Sequence, residues 1–189
     1  MKTAMNIFFK LIIIFGLFSN LSYSQNNKKF FVDDLEDYAF LLDHDIKQSN
    51  RNQANAEMDV YVKTNENQFQ YTLLVSKITE HGFEKGNLLD GKYEAYFQET
   101  CGCEISEVDL VVYNNIKPLR HFISIKKDEN SFKGINASFV SGKYLYSILF
   151  LTFEKDFDNQ KTNFYEIMNT LIINGKTTVD NYSEYEKNG

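Results

Sequence analysis

The apolar positions of this 189-residue chain change their spacing several times between the two ends, and each change marks an element. The first run, Ile7–Phe18 (IFFKLIIIFGLF), is apolar apart from Lys10 and falls short of the roughly 20 residues that a hydrocarbon core requires. Lys2 precedes it, and Ser22 and Ser24 follow at small-residue positions. That pattern predicts a cleavable export signal over residues 1–24, cut after Ser24. No cysteine lies near the cut, so the mature protein is expected to be free of a lipid or membrane anchor, either periplasmic or secreted.

After a polar lead-in, Phe31, Leu35, Tyr38, Leu42 and Ile46 recur at the three- and four-residue spacing of one helical face, with Asp33 as N-cap and Glu36 three residues on. The spacing predicts a first helix. The polar stretch Gln48–Asn55 interrupts it. Met58, Val60 and Val62 then alternate with more polar residues and Gln68–Lys77 repeats the habit, which predicts a hairpin through Asn65-Glu66-Asn67. Leu88–Glu99 reads as a helix with Leu88, Leu89, Tyr93, Tyr96 and Phe97 inward. Val108–Tyr113, Leu119–Ile125 and Ile135–Val140 have strand composition. Ser141-Gly142-Lys143 turns the chain into Tyr144–Phe153, whose near-continuous apolarity predicts a central strand. A last helix, capped by Asp156 or Asp158, carries Phe164, Ile167, Met168 and Leu171 on one face, and Leu171–Asn174 suits a closing edge strand. These elements make an α+β domain over residues 25–175, an antiparallel sheet with two or three helices packed mainly on one face. Residues 176–189 are a polar tail with little to bury.

The stretch INASFVSGKYLYSILFLTFEKDFDNQKTNFYEIMNTLIING resembles the end of PsbP-like domains. It has a strand, a Gly-containing hairpin, a long aromatic strand, a polar loop, and a helix whose Phe packs inward before a short edge strand. The resemblance implies a non-enzymatic auxiliary or binding role and transfers no active-site residue. Such domains begin with strands, so the helix predicted over Phe31–Lys47 departs from them.

Charge narrows the partners. Loss of Lys2 and Lys10 with the leader leaves 18 basic residues against 26 acidic ones, a net charge of −8. Nucleic acid and anionic lipid both demand the opposite sign. Phe and Tyr supply every aromatic in the chain, which excludes a tryptophan platform for carbohydrate.

Candidate chemistry is confined to Cys101-Gly102-Cys103, the two cysteines of the chain. In an oxidising compartment they can close a small disulfide, with Gly102 easing the backbone. Reduced, they could offer two soft sulfur ligands to copper or zinc, with His81 or His121 as a third. The CxC spacing matches neither a thioredoxin-like CxxC nor a four-ligand zinc knuckle, so a structural disulfide is the simpler expectation. His44, His81 and His121 share no ligand spacing. GxSxG, phosphate-loop and EF-hand signatures are absent, and no cofactor is implied. The leading expectation is therefore an exported, non-enzymatic module that binds a protein or small ligand through an aromatic sheet face or inter-helix groove. Its alternatives are a thiol-redox or metal-handling protein built on Cys101 and Cys103, and a hydrolase with an unlocated carboxylate pair.

Overall fold

The computed structural model describes residues 28–32, 37–53, 56–79, 82–83, 88, 91–113 and 116–173. The predicted signal over 1–24, the Asp33/Glu36 cap, His81 and the tail over 176–189 lie outside them.

The front of the domain is extended, which corrects the helix predicted over Phe31–Lys47. Strands β1 (Lys28–Val32) and β2 (Tyr38–Asp43) pair antiparallel, with Phe31 opposite Phe40. Tyr38, Phe40 and Leu42 are buried while Ala39, Leu41 and Asp43 are less so, a period of two. Phe31, Tyr38, Leu42 and Ile46 also satisfy a spacing of three and four, but that series passes over Phe40, which is fully buried. The polar stretch after it is likewise a strand, β3 (Lys47–Gln53), at the edge of a sheet and joined to β4 (Ala56–Asn65) from Lys47↔Val62 to Gln53↔Ala56. An edge strand gains its hydrogen bonds from one neighbour and needs no apolar alternation of its own.

The predicted hairpin forms between β4 and β5 (Gln68–Ile78), where Glu66 and Asn67 both take positive φ, 47° and 65°. Two left-handed residues in succession are the signature of a type I′ turn, whose twist matches that of the strands. Helix α1 spans Lys92–Cys101, starting later than predicted because Gly91 (φ 79°) precedes its first turn. The following strand is also shifted, to β6 (Glu104–Leu110). Strands β7 (Leu119–Lys127), β8 (Asn130–Ser141) and β9 (Tyr144–Phe153), helix α2 (Phe157–Asn169) and strand β10 (Ile172–Ile173) complete the order.

Seven strands form one antiparallel sheet, β3-β4-β5-β9-β8-β7-β6, and β1-β2-β10 form a smaller one. The aromatic strand β9 is the central one, as its apolar run predicts, and β10 is an edge strand as predicted, although of the smaller sheet. Alternate residues of β9 enter two separate cores. Tyr146, Ile148 and Phe150 pack with Phe164, Ile167 and Met168 of α2 and with Phe31, Phe40 and Tyr61. Leu145, Leu149 and Leu151 pack with Tyr93 and Phe97 of α1 and with Val60 and Leu74. Since successive side chains of a strand point to opposite faces, α1 lies on one face of the large sheet, and α2 with the small sheet lies on the other. The expected packing of the helices mainly on one face is corrected accordingly. Helical periodicity shows that a face is apolar and leaves open which side of a sheet receives it.

Gly134 of β8 is required by a close approach: a Cβ there would stand 2.3 Å from the Phe150 carbonyl oxygen and 2.7 Å from Leu151 Cδ2. The absence of a side chain lets β8 lie flush against β9.

Candidate functional site

Chemistry-bearing residues converge where α1 covers strands β7, β8 and β9. His121 on β7 stands opposite Asn136 on β8, and Ser138 on β8 stands opposite Ser147 on β9. These four positions share the α1 face of the sheet and are buried or nearly so. Asn136 donates from Nδ2 to Ser138 Oγ at 2.7 Å and accepts at Oδ1 from Ser147 Oγ at 2.7 Å, and the Tyr93 hydroxyl from α1 closes the network on Ser138. Satisfied polar networks of this kind fix the register of the elements that share them. Burial raises the Tyr93 hydroxyl above the ordinary phenol range, against the pull of its bonds to Ser138 and Asn136.

His121 is fully buried, with its ring 5.5 Å from Tyr93 and 5.7 Å from Phe97. Its Nε2 is 3.7 Å from Glu94 Oε1, too far for a hydrogen bond, and neither ring nitrogen has a hydrogen-bond partner among the described residues. Burial lowers the imidazole below its ordinary value and outweighs Glu94 and Asp109, which oppose it, so His121 is neutral at pH 7. Ile135–Val140 reads as a strand in the sequence, and none of its polar residues stands out there. The missed signal is a pairing: small polar residues at matching positions of β8 and β9, visible only once the register is known.

The two cysteines are joined to each other. Gly102, at φ 64°, caps α1 by donating its N–H to the Gln98 carbonyl at 2.9 Å, and its left-handed turn brings Cys103 back to Cys101 with Cα atoms 5.3 Å apart. The bond ties the last residue of α1 to the residue before β6. Cys101 is 1% exposed and Cys103 8%, both within the α1 core. Sulfurs held in a disulfide are not thiolate ligands. Among the described residues no group of three or more His, Cys, Asp or Glu side chains could hold a metal ion. His121 lies in the same core as the pair, under the rings of α1, while His44 lies exposed in the turn after β2.

Among the described residues, pairs of carboxylates converge on two lysines. Lys77, 1% exposed, lies 2.6 Å from both Asp37 and Glu57, and Lys63 lies 3.0 Å from Asp43 and 2.6 Å from Asp45. In both clusters the cation is shared, an arrangement that holds strands together rather than setting one acid against another across a cleft.

Among the described residues large apolar side chains are exposed on β1, at Phe30 and Val32, and at the far end of the large sheet. Among the described residues strand β6 ends the large sheet, pairing with β7 alone, and a bulge interrupts the register between Ile105 and Glu107. Beyond the bulge Val108 stands opposite buried His121, and Leu110 opposite buried Leu119. Val108 is nonetheless 42% exposed, Leu110 58% and Val112 61%. Val108 and Leu110 continue the apolar face of the α1 core past the ground that α1 covers. On the reverse face Arg120 braces the strand, gripping both carboxylate oxygens of Asp109 and donating to the Tyr113 hydroxyl at 3.1 Å.

The chain matches no family model and no curated protein by sequence. In structure it is similar to the cyanobacterial PsbP (CyanoP) of Synechocystis sp. PCC 6803, with TM-score 0.59 at 10% identity over 83% of this chain and 98% of that one. It is also similar to PA94, a protein of unknown function from Pseudomonas aeruginosa, with TM-score 0.51 at 7% identity over 78% of this chain and 97% of that one. The fold is PsbP-like, as the C-terminal resemblance implies, and the strands β1 and β2 remove the departure that a helix over Phe31–Lys47 would have made. No helix among the described residues is long and apolar enough to cross a membrane.

Proposed function

We propose that this protein is an exported, non-catalytic binding module that meets its partner along the α1 side of strand β6. The export part rests on the leader pattern over residues 1–24. The binding part rests on one observation: Val108 and Leu110 stand beside buried His121 and Leu119 yet are exposed, as is Val112 just past the end of the strand. Contiguous apolar surface of this kind costs solubility and marks an interaction site more often than chance exposure does. The buried network of Tyr93, Asn136, Ser138 and Ser147 serves as the rigid floor that holds α1 and the sheet in register beneath it. The Cys101–Cys103 bond fixes the point where β6 leaves the helix.

The test is a photo-crosslinking residue placed at Leu110 in the exporting cell, with one at Gln48 on the opposite edge of the sheet as control. A discrete adduct from position 110 alone is the expected result. Adducts from both positions, or from position 48 only, would refute the assignment of the face. Amino-terminal sequencing of the same material should begin at Gln25, and a start at Met1 would refute export by cleavage.

A further inference from the structure

Strand β6 offers more than an apolar row. As the terminal strand of the large sheet it has β7 on one side and no neighbour among the described residues on the other, so its outer backbone edge is a template for another strand. Its side chains alternate in chemistry as well as direction. Val108 and Leu110 follow the α1 face, and Glu107 and Asp109 the reverse. Asp109 is occupied by Arg120. Glu107 and, at the start of the strand, Glu104 are exposed and form no ion pair with any described residue.

We infer that the outer edge of β6 takes up an extended segment of another protein as an eighth strand, in which apolar residues alternate with lysine or arginine. The inference rests on the reading of the α1–β6 face as the binding surface and specifies how that face is used. An added strand places its alternate side chains on opposite faces. One set lies beside Val108 and Leu110 and completes the apolar row. The other set falls beside Glu107, where opposite charges on neighbouring strands are favourable and like charges are not.

Charge also decides against a second copy of this chain as the occupant. The bulge between Ile105 and Glu107 confines the paired run to the part of the strand beyond it. Antiparallel pairing of this run with itself would bring the Glu107 and Asp109 of a second copy to an edge that already carries its own, in a protein whose acidic residues outnumber its basic ones 26 to 20. The opposite edge, β3, has the sequence KQSNRNQ. It offers backbone groups but no apolar side chain, which makes it an internal control.

The test uses the full mature chain, isotopically labelled, with two blocked peptides as probes, one alternating valine with lysine and the other valine with glutamate. Amide shifts confined to β6 and β7 with the lysine peptide, and none with the glutamate peptide, are expected. Leu110→Lys and Glu107→Lys should each weaken the lysine peptide about tenfold, the equivalent of about 1.4 kcal/mol. Both replace exposed side chains, so thermal unfolding of the variants should match the parent. Equal binding of the two peptides, shifts along β3, no shifts at all, or a dimer in sedimentation that Leu110→Lys dissociates would each overturn the inference. A crosslinked partner at Leu110 in the cell together with unmoved β6 amides would remove strand addition and leave the binding face standing.

Discussion

Val108 and His121 stand directly opposite each other on neighbouring strands and point to the same face of the sheet, yet the valine is 42% exposed and the histidine wholly buried. The inversion arises because α1 lays Tyr93 and Phe97 over His121 and meets β6 only near its start, where Ile105 packs against the same core, leaving the far end of the strand open. A titratable ring takes the covered place and an aliphatic side chain the open one. The consequences can be measured on both sides of the pair.

On the open side, Val108→Thr and Leu110→Lys should change unfolding free energy by no more than about 0.5 kcal/mol, since neither removes a buried contact. Urea denaturation of the two variants checks this. A loss several times larger would mean that the row is covered by the protein itself.

On the covered side, stability should depend on pH through His121. Burial depresses the folded-state imidazole below its unfolded value of about 6.5. In the interval between the two the unfolded chain binds more protons than the folded one, so stability is complete above about pH 6.5 and declines as the pH falls toward the folded value. Glu94 from α1 and Asp109 from β6 oppose the depression without cancelling it. His121→Phe should reduce the slope of stability against pH between pH 7.5 and 5 and hold or raise stability at pH 7.5, because it removes two unpartnered buried nitrogens. Denaturation curves across that range decide it, and an unchanged slope would assign the pH response to other groups.

Gly134→Ala should cost about 2–3 kcal/mol, the usual penalty for forcing an atom into a filled interior. The clash is with the Phe150 carbonyl, part of the backbone, so no rotamer change relieves it. A calorimetric midpoint within a degree or two of the parent would show that β8 and β9 can separate there without loss.

The Cys101–Cys103 bond closes a loop of only three residues, and the entropy it removes from the unfolded chain is correspondingly small. Replacing both cysteines by alanine should lower stability by about 2 kcal/mol at most, leaving the circular dichroism spectrum and the crosslink at Leu110 intact. Loss of the crosslink in a folded variant would transfer the function to the thiol pair.

Much of the second half of the domain was legible in the amino-acid order. The turn at Ser141-Gly142-Lys143, the central place of Tyr144–Phe153 and the inward Phe164 all follow from patterns contained within a few residues. The first strands were not, although the hairpin after them was, because Tyr38, Leu42 and Ile46 satisfy two periods at once, and only pairing with β1 and β10 makes the strand the better solution for Tyr38–Asp43. The candidate surface was legible in composition only. Val108–Tyr113 reads as strand material, but nothing in Val108 or Leu110 says that no helix will cover it.

The amino-acid order alone sufficed for the elements whose burial is periodic, the closeness of Cys101 and Cys103 and the acidic balance. Tertiary structure decided which faces are covered. It buried His121, Asn136, Ser138 and Ser147 under α1 and left Val108, Leu110 and Val112 in the open. The physical reason is that period reports how a strand divides its two faces, whereas coverage depends on what another segment, distant in the chain, lays across them.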